Sequence, residues 1–329
     1  MITVLRCAVL ALFISAGVQA QTASPEQVPA PAVAKTVHPE VKAPGAAKVS
    51  VTFPPGAGVM HIPLAQSKKT LEVFTYQPAG ADETTPVVMV MTGVDRNAAT
   101  YRNDWMTVAD QYHLRVVVPH FSEQDFPGAA GYNLGNLVDS KTHHRQPKSQ
   151  WAFSIVDNIF TTLQKQGVTS QKQYYLFGNS AGCQFVHRML TLLPQPNVKA
   201  AVCAAAGWWT LPDTDQRWPY GLREAPVAVS QQQLDDYFAK PVLIAVGAED
   251  DDPENHLLRK SKQAMAQGAN RLDRAESYFT TSQQRAEQNN TPFNWHFVDL
   301  SDVGHSGSKM SVFAAGQFAW FEQHNAFHL

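Results

Sequence analysis

Tyr174-Tyr175-Leu176-Phe177-Gly178-Asn179-Ser180-Ala181-Gly182-Cys183 runs four strand-forming residues into a Gly-x-Ser-x-Gly pentapeptide, and Gln184 to Leu193 after it suits a helix. The pattern predicts strand, tight turn, helix. Alone the pentapeptide is weak, because residues as common as Gly and Ser produce it by chance in about one such chain in ten. Its flanks carry the signal. In that setting Ser180 occupies a strained turn that lifts its hydroxyl above the sheet edge, with Gly178 and Gly182 leaving the turn room. Ser180 is therefore the candidate nucleophile.

Working outward, Pro86–Met91, Leu114–Pro119, Val198–Ala205 and Pro241–Val246 are apolar runs, as expected of strands covered on both faces. Phe293–Val298 is the last expected strand. Helical spacing marks Ala98–Tyr112, Trp151–Leu163, Glu254–Gln267, Arg271–Gln288 and Lys309–His324. Val49–Phe53 and Leu71–Tyr76 alternate instead, predicting half-exposed antiparallel strands at a sheet edge. Strands alternating with helices require parallel strands joined by crossovers, with ligands at the strands' carboxyl ends. The fold class is α/β, a mostly parallel central sheet flanked by helices. Gly207–Ser230, rich in Trp and Pro without regular period, reads as an insertion after the sixth strand. Phe121–His144 holds three glycines and no periodicity, as a loop bordering a cleft would.

The 329 residues divide into a tail and one domain, 49–329. Lys+Arg 26 against Asp+Glu 28, with no basic run, removes the electrostatic footprint of a nucleic-acid binder. Residues 1–20 carry Arg6, an apolar run from Cys7 to Val18, and small residues at Val18 and Ala20. That is the pattern of a cleaved secretory signal, since the run is too short to span a bilayer. Export to the periplasm or beyond follows as an expectation. No later stretch is long and apolar enough to span a membrane. Residues 21–48, rich in Pro and Ala, bury too little to offset their ordering entropy and read as a disordered leader. Beyond the signal stand two cysteines, Cys183 and Cys203, whose spacing fits no metal site. An oxidising compartment permits a bridge between them, and free buried cysteines are equally ordinary.

A serine hydroxyl needs a base to take its proton, and the base needs a third group to fix its tautomer. On this kind of sheet the expected chain order is Ser, acid, His. His305 lies in Asp302–Gly307, a turn-prone loop after the last strand, and is the candidate base; His143, His144 and His296 lack that placement. Asp250 stands three residues after Gly247, which closes its strand, and is the candidate acid. Asp251 and Asp252 adjoin it and blur the choice; the three lack the alternating spacing and glycine of a calcium loop. The oxyanion donors would be the backbone N–H groups of Ala181 and Val94, with Gly93 supplying the turn. Asp95 and Arg96 read as helix-capping and surface residues rather than catalysts, with contact to an acidic substrate group as the alternative for Arg96. Trp208 and Trp209 follow a strand end, and either line an acyl or aryl pocket or pack the insertion onto the sheet.

Gly178-Asn179-Ser180-Ala181-Gly182, Thr92-Gly93-Val94-Asp95-Arg96-Asn97, Gly247-Ala248-Glu249-Asp250 and Gly304-His305-Ser306, spread over residues 49–324, resemble the α/β-hydrolase superfamily. Within it, the likeness is to secreted polyhydroxybutyrate depolymerase-like and feruloyl-esterase-like enzymes. Thr92 stands where that family usually has His. The resemblance implies an α/β-hydrolase fold and hydrolysis through a covalent acyl-serine, with no metal or organic cofactor. The expectation is an exported serine esterase acting on a small or oligomeric ester. A serine peptidase acting on short peptides shares the same groups, and a polymer- or glycan-binding protein that keeps the fold without catalysis is the alternative of another class. The sequence leaves open the ester, the oligomeric state and the pairing of the cysteines.

Overall fold

The computed structural model describes residues 52–329; the expected signal and leader lie outside them. Eight strands form one sheet: β1 (Gly56–Pro63), β2 (Thr70–Gln77), β3 (Val87–Met91), β4 (Arg115–Pro119), β5 (Tyr174–Asn179), β6 (Val198–Ala204), β7 (Val242–Gly247) and β8 (Trp295–Leu300). Their order is β1-β2-β4-β3-β5-β6-β7-β8. β1–β2 and β2–β4 are antiparallel and every other pair is parallel. Every residue of β3, β4, β5 and β7 is buried, which is why those runs are continuously apolar rather than alternating. This is the α/β-hydrolase fold.

Side chains alternate between two cores. Tyr175 and Phe177 of β5 face α1 (Ala98–Tyr112) and α8 (Gly307–His324), where Trp105 is fully buried between Phe177 and Phe318. Truncating such a ring costs about 3–5 kcal/mol. Tyr174 and Leu176 face the other layer, built by α3 (Ala152–Lys165), α4 (Ala181–Leu192), α5 (Gln231–Phe238) and α7 (Arg271–Gln288). Two short turns of helix, α2 (Gly128–Gly131) and α6 (Lys262–Met265), lie in the connections. Among the described residues no helix is long and apolar enough to cross a membrane.

Three elements differ from expectation. The first strand is Gly56–Pro63; Thr52 and Phe53 lie outside any strand, and residues 49–51 are not described. Pro54 and Pro55 offer no N–H to a ladder, so among the described residues pairing begins after them. The helix expected over 254–267 shrinks to Lys262–Met265. The Asp252 and Asn255 side chains accept from the backbone N–H groups of Glu254 and Leu257, and these local turns compete with helix. Conversely, α5 was not legible from period, and is started by a capping box between Ser230 and Gln233.

Candidate active site

β5 ends at Asn179, α4 begins at Ala181, and Ser180 between them takes φ 57°, ψ −117°. A non-glycine residue there is strained and persists only where its surroundings hold it. Ser180 N–H donates to Ala204 O of the neighbouring strand at 2.8 Å. The flanking glycines are required by contact: a Cβ on Gly178 would stand 2.3 Å from Gly182 O, and one on Gly182 2.1 Å from Met91 O. Strand β5, helix α4 and strand β3 thus meet with no space for side chains, and the Ser180 backbone is forced outward.

The Cys183 and Cys203 sulfurs are 2.10 Å apart in a disulfide joining the first turn of α4 to β6. His187, one turn along, is fully buried; Nδ1–H donates to Cys183 O and Nε2 accepts from Thr210 N–H. Burial, aided by the Arg188 charge, holds its pKa well below the ordinary 6.5. Cys183, His187 and Cys203 cluster closely enough to suggest metal ligands, but their donors are spent, in a disulfide and on the Thr210 N–H.

Asp250 follows β7 and is buried. His305 Nδ1 donates to its Oδ2 at 2.7 Å, and Arg271 Nη1 to its Oδ1 at 3.0 Å. Arg271 opens α7, is itself buried, and also reaches Asn255 Oδ1 at 3.3 Å. Glu249 N–H donates to Val303 O at 3.0 Å, tying the loop of the acid to the loop of the histidine. Asp251 and Asp252 are exposed, and Asp252 is occupied with the Glu254 N–H. Of the three carboxylates, Asp250 is the one against His305.

Ser180 and His305 line one cavity of about 230 Å³ together with Gly93, Val94, Tyr101, Asn179, Leu257 and neighbouring residues. Val94 and Leu257 are exposed apolar side chains at its wall. Among the described residues, neither Val94 N–H nor Ala181 N–H donates to a protein acceptor. Two unspent donors, one of them at a helix N-terminus, suit an oxyanion. A separate cleft of about 370 Å³ is bordered by the β1–β2 turn and the 124–150 loop, near where the glycine-rich segment suggested one.

Arg96 is not a surface residue. Its guanidinium is buried and donates to the carbonyls of Phe121, Phe126 and Gly128, with Glu123 at 3.0 Å. It pins the loop after β4 against the segment after β3. Trp208 and Trp209 do not border the cavity that holds Ser180. Trp209 is fully buried and stacks on Tyr278 at 4.1 Å, with its backbone clasped by the Gln267 side chain. Trp208 has the guanidiniums of Arg188 and Arg259 over its ring, at 4.1 and 5.0 Å, and lies beside Tyr220. Both indoles are drawn inward by these partners, which periodicity cannot see. The residues missed from sequence are Arg271 and Tyr101; a basic residue at the start of an amphipathic helix and a tyrosine on an apolar face look unremarkable.

The Esterase family model, described as "Putative esterase", matches residues 65–299. A comparison with curated proteins finds no match. Among solved structures, poly(aspartic acid) hydrolase-1 from Sphingomonas sp. KT-1 is 34% identical, with 82% of this chain and 100% of that chain covered and a TM-score of 0.76. The poly(3-hydroxybutyrate) depolymerase LpqC from Bordetella parapertussis is 31% identical over 84% of this chain and 92% of that one, at a TM-score of 0.74. An S-formylglutathione hydrolase from Agrobacterium tumefaciens, 15% identical over 84% and 98% of the two chains with a TM-score of 0.54, shares the fold.

Proposed function

The chain belongs to the Esterase family and is a carboxyl-ester hydrolase, and from that premise we propose that it works through an acyl-serine intermediate on Ser180. Ser180 Oγ attacks the carbonyl carbon while His305 Nε2 takes its proton, and Asp250 holds the imidazole in the required tautomer and stabilises the imidazolium. The Val94 and Ala181 N–H groups receive the oxyanion. His305 returns the proton to the leaving alcohol oxygen as the tetrahedral intermediate collapses. Water then attacks the acyl-serine with His305 again as base, releasing the acid and restoring Ser180. The steps call on no metal or organic cofactor.

The observation that carries this reading is the 2.7 Å bond from His305 to the buried Asp250, with His305 and Ser180 facing one cavity. Export to the periplasm or beyond is part of the proposal; the signal-like residues 1–20 and the Cys183–Cys203 bridge support it. The likeness to a poly(3-hydroxybutyrate) depolymerase supports an oligomeric or polymeric ester as substrate. Amide cleavage is the second reading, favoured by the likeness to a poly(aspartic acid) hydrolase, whose substrate is a polyamide.

Replacing Ser180 by Ala is expected to remove about three or more orders of magnitude of turnover on short-chain aryl esters. A fluorophosphonate should label the wild type and not Ser180→Ala. Near wild-type activity in that variant overturns the reading, and parallel assays on ester and aspartyl-amide oligomers separate its two forms.

A further inference from the structure

Tyr101 stands on the second turn of α1 with its ring buried and its hydroxyl at the wall of the cavity that holds Ser180. Three segments of the site meet at that hydroxyl. A Cβ built on Gly93 would lie 2.9 Å from Tyr101 Oη; one built on Gly307 would lie 3.2 Å from Oη and 3.2 Å from Asn179 Nδ2. Gly93 precedes the candidate oxyanion donor Val94, Asn179 precedes Ser180, and Gly307 follows His305 by two residues.

The Gly93 backbone and the Asn179 side chain both border the tyrosine hydroxyl. A backbone N–H and an amide NH₂ can only donate, and Oη has two lone pairs to offer them. Burial, foremost, pushes the Tyr101 pKa up, so the hydroxyl stays neutral. Two consequences follow. With Gly93 packed against the phenol, the next N–H, that of Val94, has no protein acceptor among the described residues. And Asn179 Oδ1 is buried with no partner, so the contact with Tyr101 is what holds this side chain beside the nucleophile.

We propose that Tyr101 is a positioning residue for ester cleavage, its hydroxyl clamping the Gly93–Val94 peptide and Asn179 so that the Val94 N–H and Ser180 Oγ meet the carbonyl together. The assignment rests on the acyl-serine reading above. Because an oxyanion forms only after attack, misplacing its donor lowers kcat and leaves KM almost untouched. A tyrosine that merely fills the core would, when altered, lower thermal stability without that selectivity.

The test compares wild type, Tyr101→Phe, Gly93→Ala and the double variant on a short-chain p-nitrophenyl ester, with phenylboronic acid as the tetrahedral probe and thermal unfolding as the folding control. Tyr101→Phe keeps the ring and is expected to lower kcat about 10- to 100-fold, to weaken phenylboronic acid by a like factor, and to leave KM near wild type. In Gly93→Ala the new methyl strikes Oη and kcat falls. Removing the hydroxyl relieves that contact, so the double variant should match Tyr101→Phe instead of multiplying the two losses. If Tyr101→Phe does not fold, Gly307→Ala, whose methyl crowds the same hydroxyl, carries the same expected loss of kcat at constant KM. Wild-type kcat and boronate affinity in Tyr101→Phe, or losses that simply multiply, overturn the proposal while the ester-hydrolase reading stands. Absence of Ser180-dependent turnover in the wild type overturns both.

Discussion

Arg271 donates to Asp250 Oδ1 across 3.0 Å with both side chains buried, 2% and 4% exposed. The carboxylate therefore has a fixed cation on one oxygen and His305 on the other. Removing one partner of a buried ion pair leaves an uncompensated charge, which costs about 3–5 kcal/mol. Arg271→Met should lose that much stability in urea denaturation and should also lower kcat, since the acid loses the contact that orients it. Unchanged stability would show that solvent reaches Asp250.

Asp250 is distinguished from its neighbours by burial, and activity should follow that distinction. Asp250→Asn keeps the shape but presents a donor or neutral acceptor to His305, favouring the wrong tautomer. A loss of about 10³–10⁴-fold in kcat is expected. Asp251→Asn and Asp252→Asn, both at exposed positions, should keep kcat near wild type. Steady-state kinetics on one aryl ester decides all three, and a large loss in either neighbour would move the acid away from Asp250.

The Cys183–Cys203 bridge closes a segment with a sequence separation of 20 that includes most of α4. Constraining an unfolded loop of that size is worth about 3 kcal/mol. The double variant Cys183→Ala, Cys203→Ala should lose roughly that amount in urea, while its folded fraction still turns over ester, because the Ser180 N–H bond to Ala204 O is independent of the bridge. Equal stability of variant and wild type would show the wild-type protein to be reduced.

What could be read from the sequence and what could not divide along a physical line. Strands buried on both faces announce themselves as apolar runs, so β3 to β7 and the placement of Ser180, Asp250 and His305 at carboxyl ends were legible one segment at a time. Contacts between segments were not. Arg271 lies 21 positions from Asp250, and nothing in its own helix separates it from a solvated cation. Arg96 reads from sequence as a surface residue because its acceptors are backbone carbonyls of a distant loop, which no side-chain pattern encodes. For Trp209 the sequence leaves pocket wall and packing equally open for the same reason: its stacking partner, Tyr278, sits on α7. Of the alternating run at 49–53 only Thr52 and Phe53 fall among the described residues, and they lie outside any strand because the two prolines after them lack the donors a ladder needs.

His187 gives the stability of the protein a sign with pH. In the folded chain both ring nitrogens serve the neutral form, and burial holds the pKa well below 6.5. In the unfolded chain the imidazole titrates near its ordinary value, about 6.5. Below that pH the unfolded state binds a proton that the folded state refuses, so stability rises with pH, by at most about 1.4 kcal/mol per unit. Above it, both states are neutral and the contribution vanishes. Urea denaturation of the wild type and His187→Gln across the mildly acid range should therefore show a steeper loss in the wild type, by at most about 1.4 kcal/mol per pH unit. Parallel curves would mean that the folded protein accepts the proton, and that the Thr210 N–H can give way to it.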